Sequence, residues 1–151
     1  LEGLSSLGNK IYDQMDKGSF PSIDMPSRST DNIAYDEQLR QFILGERRVR
    51  RSARNIRHVK PFTQLVWAAL FSNELSSQRK TSTLRDVYYS AQAYEMTFKD
   101  QQESNNIVTD LETILGFSRE DFSIFPEERS AVFGDLTIEY TVPGYEGKTL
   151  D

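Results

Sequence analysis

Thr81-Ser82-Thr83-Leu84-Arg85-Asp86-Val87-Tyr88-Tyr89-Ser90-Ala91-Gln92 sets the architecture expected of this chain. It carries its own helix start. A Ser82 or Thr83 hydroxyl can accept from the free N–H groups of a first turn, and an apolar repeat begins at Leu84. At about 100° per residue, Leu84, Val87, Tyr88 and Ala91 share one side, which predicts a stripe turned toward a core. Arg85 and Tyr89 are four apart and therefore neighbours on another side. One tyrosine reads as packing, the other as a phenol held out beside a guanidinium.

Upstream, Pro61 suits a first helical turn, and Phe62, Leu65, Val66, Ala69, Leu70 and Asn73 run down one side of a helix ending near Ser77. Gln78-Arg79-Lys80 is a short polar turn, so the pair reads as a helix-turn-helix. Downstream, a third helix is predicted from near Gln102 to Gly116. Tyr94-Glu95-Met96-Thr97-Phe98 fits either an extension of the second helix or an irregular link. Arg129–Phe133 and Leu136–Val142 are strand-like, with Gly134-Asp135 as the hairpin turn between them. Three helices followed by a hairpin make a winged helix. Pro143–Gly147 reads as a linker.

Toward the N-terminus, Leu4, Leu7, Ile11 and Met15 repeat at helical spacing before Gly18, predicting a helix over 1–17. Phe20–Pro26 alternates between prolines, as an edge strand does. Ile33–Tyr35 and Gln41–Leu44 read as strands, and Gly45-Glu46 as a two-residue turn into Arg47–Arg51. The expected fold is α+β and mainly helical. An N-terminal helix and small-strand extension (1–57) precedes a winged helix (58–143), with a linker over 144–151.

Composition narrows the function classes. The 151 residues are 37% hydrophobic and 27% charged, ordinary for a folded domain of this length. The absence of cysteine removes disulfides, thiolate zinc sites and cysteine nucleophiles. The longest apolar run, Leu65–Phe71, is far too short to span a membrane. The start at Leu1 and the end in Gly147–Asp151, without a helical stop, read as a segment of a longer protein.

The net charge of −5 hides an asymmetry. Residues 1–94 carry 14 Lys and Arg against 10 acidic residues, whereas residues 95–151 carry 4 against 13. Within 47–60 lie Arg47, Arg48, Arg50, Arg51, Arg54, Arg57 and Lys60 with no acidic residue between them. The run is either solvated counter-charge for the acidic half or a phosphate-contacting strip, for which guanidinium groups are well suited. Lys80 adds a cation before the decisive helix. His58 stands alone, with neither a second His nor a Cys, so a metal site there is not expected. The acidic residues after 95 are dispersed and read as a solvated face.

A tyrosine hydroxyl with a pKa near 10 is a poor nucleophile. Attack on a phosphodiester requires a cation to favour the phenolate and offset charge in the transition state, and a divalent metal to position the phosphate. Arg85 is placed for the first task. The spacing alone leaves open that Tyr88 and Tyr89 both only pack.

Ser82-Thr83-Leu84-Arg85-Asp86-Val87-Tyr88-Tyr89 resembles the active-site motif of the A subunit of archaeal-type DNA topoisomerase VI, a family that includes the meiotic double-strand-break transesterase. Phe20–Ile23 with Pro26–Ser29, Asn55–Pro61, Phe125–Arg129 and Leu136–Pro143 resemble the same protein, in the same order. The resemblance implies a winged-helix domain whose second tyrosine of the pair, Tyr89, attacks a DNA phosphate and becomes linked to a 5′ end. Arg85 falls on the family's preceding arginine, and Asp86 is given no chemistry. It also implies double-stranded DNA as substrate, a homodimer of A subunits, and an ATPase B subunit that completes an A2B2 heterotetramer. Mg²⁺ would sit in a following Toprim-type domain that nothing in 95–151 resembles, so this segment is expected to be inactive alone. ATP would bind the B subunit, and the compartment would be the cytoplasm, beside the nucleoid. The alternative readings are a winged-helix module that binds DNA without chemistry and a subunit-interaction domain.

Overall fold

The computed structural model describes residues 2–126 and the backbone of two short strands, Ile138–Glu139 and Thr149–Leu150. The expected wing strand 129–133, its turn at Gly134-Asp135 and the Pro143–Gly147 linker lie outside the described residues. Within them the protein is α+β, with four helices and two-stranded sheets. No described helix is long and apolar enough to cross a membrane.

Helix α1 (Glu2–Asp16) buries Leu4 and Leu7 and ends at Gly18, whose φ of +70° is the left-handed conformation that favours glycine. Met15, expected on the same stripe, is 59% exposed. Gln14 is turned inward instead, exchanging hydrogen bonds with the Ser22 backbone.

The extension is one antiparallel ribbon in two nested parts. β1 (Ser22–Pro26) pairs with β4 (Arg48–Ser52), and β2 (Ile33–Asp36) pairs with β3 (Gln41–Leu44) between them. The expected Gly45-Glu46 turn is therefore corrected, since β3 and β4 do not pair with each other. Residues 27–32 interrupt the ladder, and buried Asn32 plugs the gap. Its Nδ2 donates to the carbonyls of Ser27 (2.7 Å), Arg47 (3.2 Å) and Gly45 (3.3 Å), and its Oδ1 accepts from Arg47 N–H at 3.0 Å. Gly45 makes room for this plug: a Cβ there would stand 2.7 Å from Asn32 Oδ1.

The core gathers around α2 (Ile56–Ser77). The helix starts more than a turn before Pro61, correcting the expected start, because the Asn55 side chain accepts from Arg57 N–H and caps it. Pro61 therefore sits in the second turn and removes only one backbone donor. Buried Phe62, Leu65, Trp67, Ala68 and Leu75 face α1, α4 (Gln101–Leu115) and the ribbon. Trp67 stacks on Phe71 at 5.3 Å and meets Phe98 edge-on at 5.9 Å. That contact fixes 94–98 as an irregular link, and Gln64 Nε2 pins it by donating to the Thr97 carbonyl at 2.9 Å. α4 is capped by Asp100 at its start and by Gly116 (φ +70°) at its end.

One member of the acidic half is not on a solvated face. Asp110, in α4, is 2% exposed and lies between two guanidinium groups. Arg28 reaches Oδ1 at 2.6 Å, and Arg51 of β4 pairs with Oδ2. Arg28 also donates to the Asn106 carbonyl. Both ends of the β1–β4 pair are thereby tied to one buried carboxylate.

Removing a partner from a buried ion cluster is costly, so Asp110→Ala is expected to lower unfolding stability by about 2–4 kcal/mol. The cost for Asn32→Ala is about 1–3 kcal/mol. Urea melts check both; a loss below about 0.5 kcal/mol at Asp110 would make the cluster incidental. A second expectation concerns acid. Burial pushes the Glu103 carboxyl up, but the Lys99 N–H and Lys60 ammonium outweigh it and hold the group below its ordinary 4.5. Its folded pKa lies beneath the unfolded one, so its contribution is complete above about pH 4.5 and is lost as pH falls further. Glu103→Gln should flatten that part of the stability profile.

Candidate active site

The decisive stretch folds as strand, cap and helix. Ser82–Thr83 form β5, a two-residue strand parallel to β6 (Ile124–Phe125), and Ser82 N–H donates to the Ser123 carbonyl at 2.9 Å. Thr83 is the N-cap of α3 (Leu84–Ala93). Its hydroxyl accepts from Asp86 N–H at 3.1 Å, and the Asp86 carboxylate accepts from Thr83 N–H at 3.3 Å. This reciprocal pair is a capping box. It explains Asp86: the carboxylate is occupied in starting the helix. The spacing Thr83-x-x-Asp86 is the sequence signal for it, as a variant of that motif.

β6 is held in turn from α4. Arg119 donates from Nε and Nη2 to Glu112 at 2.9 and 2.7 Å, and Phe122 and Ile124 are buried. The start of α3 is thus fixed on two sides, by its own cap and by a strand braced on α4.

The two sides of α3 divide as the spacing predicts. Val87 and Ala91 are fully buried, and Leu84 packs partly buried against the core. Tyr88 is half-buried, whereas Tyr89 is 53% exposed and Arg85 is exposed. The two tyrosine rings meet edge-on, with centroids 5.3 Å apart. Tyr88 is therefore a wall beside the Tyr89 ring, and the Tyr89 phenol is open to a ligand from solvent.

The eight basic residues singled out from the sequence fall into three groups. Arg51 is committed to Asp110, and its side chain is only 23% exposed. Arg47, Arg48, Arg50 and Lys60 are exposed but engaged. Arg47 pairs with Asp31, Arg50 grips Asp24 with bonds of 2.7 and 3.0 Å, Arg48 donates to the Asp24 carbonyl, and Lys60 pairs with Glu103 at 3.0 Å. The Arg50 guanidinium holds the Asp24 carboxyl below its ordinary 3.8. Arg54, Arg57 and Lys80 are exposed and have no ion pair among the described residues. Among the described residues no hydrogen bond joins any of the eight to Tyr89. The basic run therefore mixes both readings of the sequence, part counter-charge and part free cation. Exposed Arg79, in the turn before Lys80 with a φ of +54°, belongs with the free group and was not singled out.

Among the described residues no group of three or more His, Asp or Glu could hold a metal ion. The site offers a phenol, a neighbouring guanidinium and a rigid mount. It does not by itself offer a metal cage.

Comparison with known proteins places these residues in a known context. A family model described as Type IIB DNA topoisomerase matches residues 60–124, which include all of α3. The chain is similar to the A subunit of Type 2 DNA topoisomerase 6 from Methanothermobacter thermautotrophicus, with 44% identity over 91% of this chain and 39% of that protein. It is similar to the proteins of the same name from Pyrococcus abyssi (35% identity over 92% of this chain and 38% of the relative) and Halobacterium salinarum (35%, 89% and 38%). The resemblance read from the motifs is shown by these matches. The chain spans about two-fifths of the length of the relatives it matches.

The charge geometry predicts an order among the arginines. Freeing Arg50 from Asp24 costs little because both side chains are exposed; freeing Arg51 strands a buried carboxylate. Neutralising Arg54 and Arg57 together is expected to weaken binding to duplex DNA and reduce the salt slope by about 2. Arg51→Gln should lower stability with little change in slope. A slope unchanged by Arg54→Gln/Arg57→Gln would return this strip to plain solvated surface.

Proposed function

We propose that this chain is the tyrosine-bearing segment of the DNA-cleaving A subunit of a type IIB topoisomerase. The observation that carries the reading is the exposed Tyr89 on a doubly anchored α3, inside the residues that match the family model. In this reading α2, the turn and α3 form the helix-turn-helix of a winged helix, and the described helices are its helical part.

The proposed step is a transesterification. The Tyr89 phenol loses its proton, and its oxygen attacks a backbone phosphorus. The bond from phosphorus to the 3′ oxygen breaks, that oxygen takes up a proton, and a 5′-phosphotyrosyl link remains. One phosphoester replaces another, so the step is reversible and the strand can be resealed. Arg85, one turn earlier on the exposed side, offsets charge on the pentacoordinate phosphorus. The capping box and the buried Val87 and Ala91 hold the helix, so the phenol is presented with little freedom to misalign. Tyr88 restricts the ring of Tyr89 from one side.

Mg²⁺, when bound, would position the phosphate and neutralise charge on it. The described residues do not fit a metal cage. We place its ligands in a Toprim-type domain of the parent protein. Duplex DNA as substrate, a second copy of this protein and an ATP-hydrolysing B subunit complete the proposal. The segment alone is expected not to cleave.

Trapping tests the assignment. Full-length protein with its B subunit, Mg²⁺, ATP and supercoiled DNA should yield protein-linked 5′ ends after denaturation. Tyr89→Phe should abolish the adduct, while Tyr88→Phe should retain it at a reduced level. Arg85→Ala should slow its formation by about 10²–10³-fold. Adduct formation by Tyr89→Phe but not by Tyr88→Phe would overturn the assignment. Indifference to both changes would leave DNA binding without chemistry as the function.

A further inference from the structure

Four unpaired cations stand at the two ends of one rigid element. Arg54 and Arg57 flank the Asn55 cap at the start of α2, and Arg79 and Lys80 occupy the turn beyond its last residue, Ser77. All four are exposed, and none has an ion pair among the described residues. The charged groups between them are engaged. Lys60 pairs with Glu103 at 3.0 Å, and Glu74 accepts from Gln78 Nε2 at 2.9 Å and from the Tyr94 hydroxyl at 3.3 Å. The turn is folded back onto the helix end, with Arg79 N–H donating to the Ser76 carbonyl at 3.2 Å and Lys80 N–H to the Leu75 carbonyl at 2.9 Å. α2 has 22 residues, and a rise of 1.5 Å per residue sets the two pairs about 33 Å apart. Phe62, Leu65, Trp67, Ala68 and Leu75 hold this helix in the core, so the spacing is fixed.

We propose that this spacing is a ruler for duplex DNA. A B-form duplex presents the same side to a protein every turn, about 34–36 Å or about 10 base pairs. The two pairs therefore meet one side of a single duplex at phosphates one turn apart. The Arg79–Lys80 pair is the end beside the candidate site. Lys80 lies four residues before α3, a reach of at most about 14 Å, and Tyr89 follows about 7–8 Å along that helix. Arg54 and Arg57 accordingly grip the backbone about 10 base pairs from the phosphate that Tyr89 attacks. Guanidinium groups suit the distant contact because each can hold a phosphate through two hydrogen bonds. The inference rests on the reading of Tyr89 for the place of the cleaved phosphate, and adds to it a second contact at a set distance.

The test is a length series. Full-length protein with its B subunit is bound to duplexes carrying a mapped break position, and each arm in turn is extended from about 4 to about 20 base pairs. Affinity should rise in a step as an arm passes about 10 base pairs. The step should be about tenfold near 50 mM salt and largely lost near 200 mM, the dependence that two phosphate contacts give. Arg54→Gln/Arg57→Gln should remove the step and leave short duplexes bound as before, whereas Arg54→Lys/Arg57→Lys, which keeps the charge, should retain most of it. Arg79→Gln/Lys80→Gln should weaken duplexes of every length and keep the step. Binding precedes chemistry, so Tyr89→Phe should keep it too. A step that survives Arg54→Gln/Arg57→Gln overturns the inference. So does one that falls below about 6 or above about 15 base pairs, a smooth rise with no step, or equal loss in the lysine pair. A step that behaves as expected in a protein that breaks DNA through another residue would support the spacing and overturn the reading of Tyr89.

Discussion

The buried carboxylate of Asp110 is the constraint on which the architecture depends. A lone ionised carboxylate at 2% exposure would be strongly unfavourable, and here two guanidinium groups compensate it. They come from residues 28 and 51, on the two legs of the ribbon, and the carboxylate comes from α4. The attraction therefore does more than offset desolvation. It fixes where the extension sits on the helical body, in a way that apolar contacts between Ile23, Met25 and their neighbours do not specify alone. The same helix braces Arg119 and the strand that borders the start of α3. One element thus sets the position of both the ribbon and the tyrosine helix.

How much of this is legible in the sequence depends on how local the signal is. The side assignments on α3 are readable because helical periodicity is a short-range rule, and Val87, Ala91, Tyr88 and Tyr89 sit where it places them. The strands at 22–26, 33–36, 41–44 and 48–52 are readable for the same reason. Their pairing is not. Gly45-Glu46 carries hairpin chemistry, but the competing long-range closure of β1 on β4, with Asn32 filling the gap, outweighs it. The start of α2 at 56 escapes the sequence because Pro61 is a conspicuous signal and the Asn55 cap a quiet one.

The basic run shows a different limit. Seven cations in fourteen positions are plain to see, but sequence does not say which acids they meet. Asp24 and Asp31 lie within the ribbon and Glu103 and Asp110 far along the chain, and only the fold brings them together. The run is in effect two populations. One is bound into the structure and the other, Arg54 and Arg57, faces outward at the start of α2. The candidate site itself is legible through its neighbours in sequence, since Arg85, Tyr88 and Tyr89 are all within one helix. Its metal half has no counterpart among the described residues.

The nested ribbon has a consequence for how the chain reaches its fold. Pairing β1 with β4 directly means closing a loop of about 20 residues, whereas β2 and β3 meet across a turn of about 4. Once that inner hairpin has formed, the gap left to close is about 9 residues, and the entropic toll falls by roughly 0.8 kcal/mol. The natural order of assembly is therefore a zipper running from the tip toward the body, with Asn32 as the tooth that must engage before the outer strands can join. A ribbon that zips in this direction completes its free end first and its anchored end last.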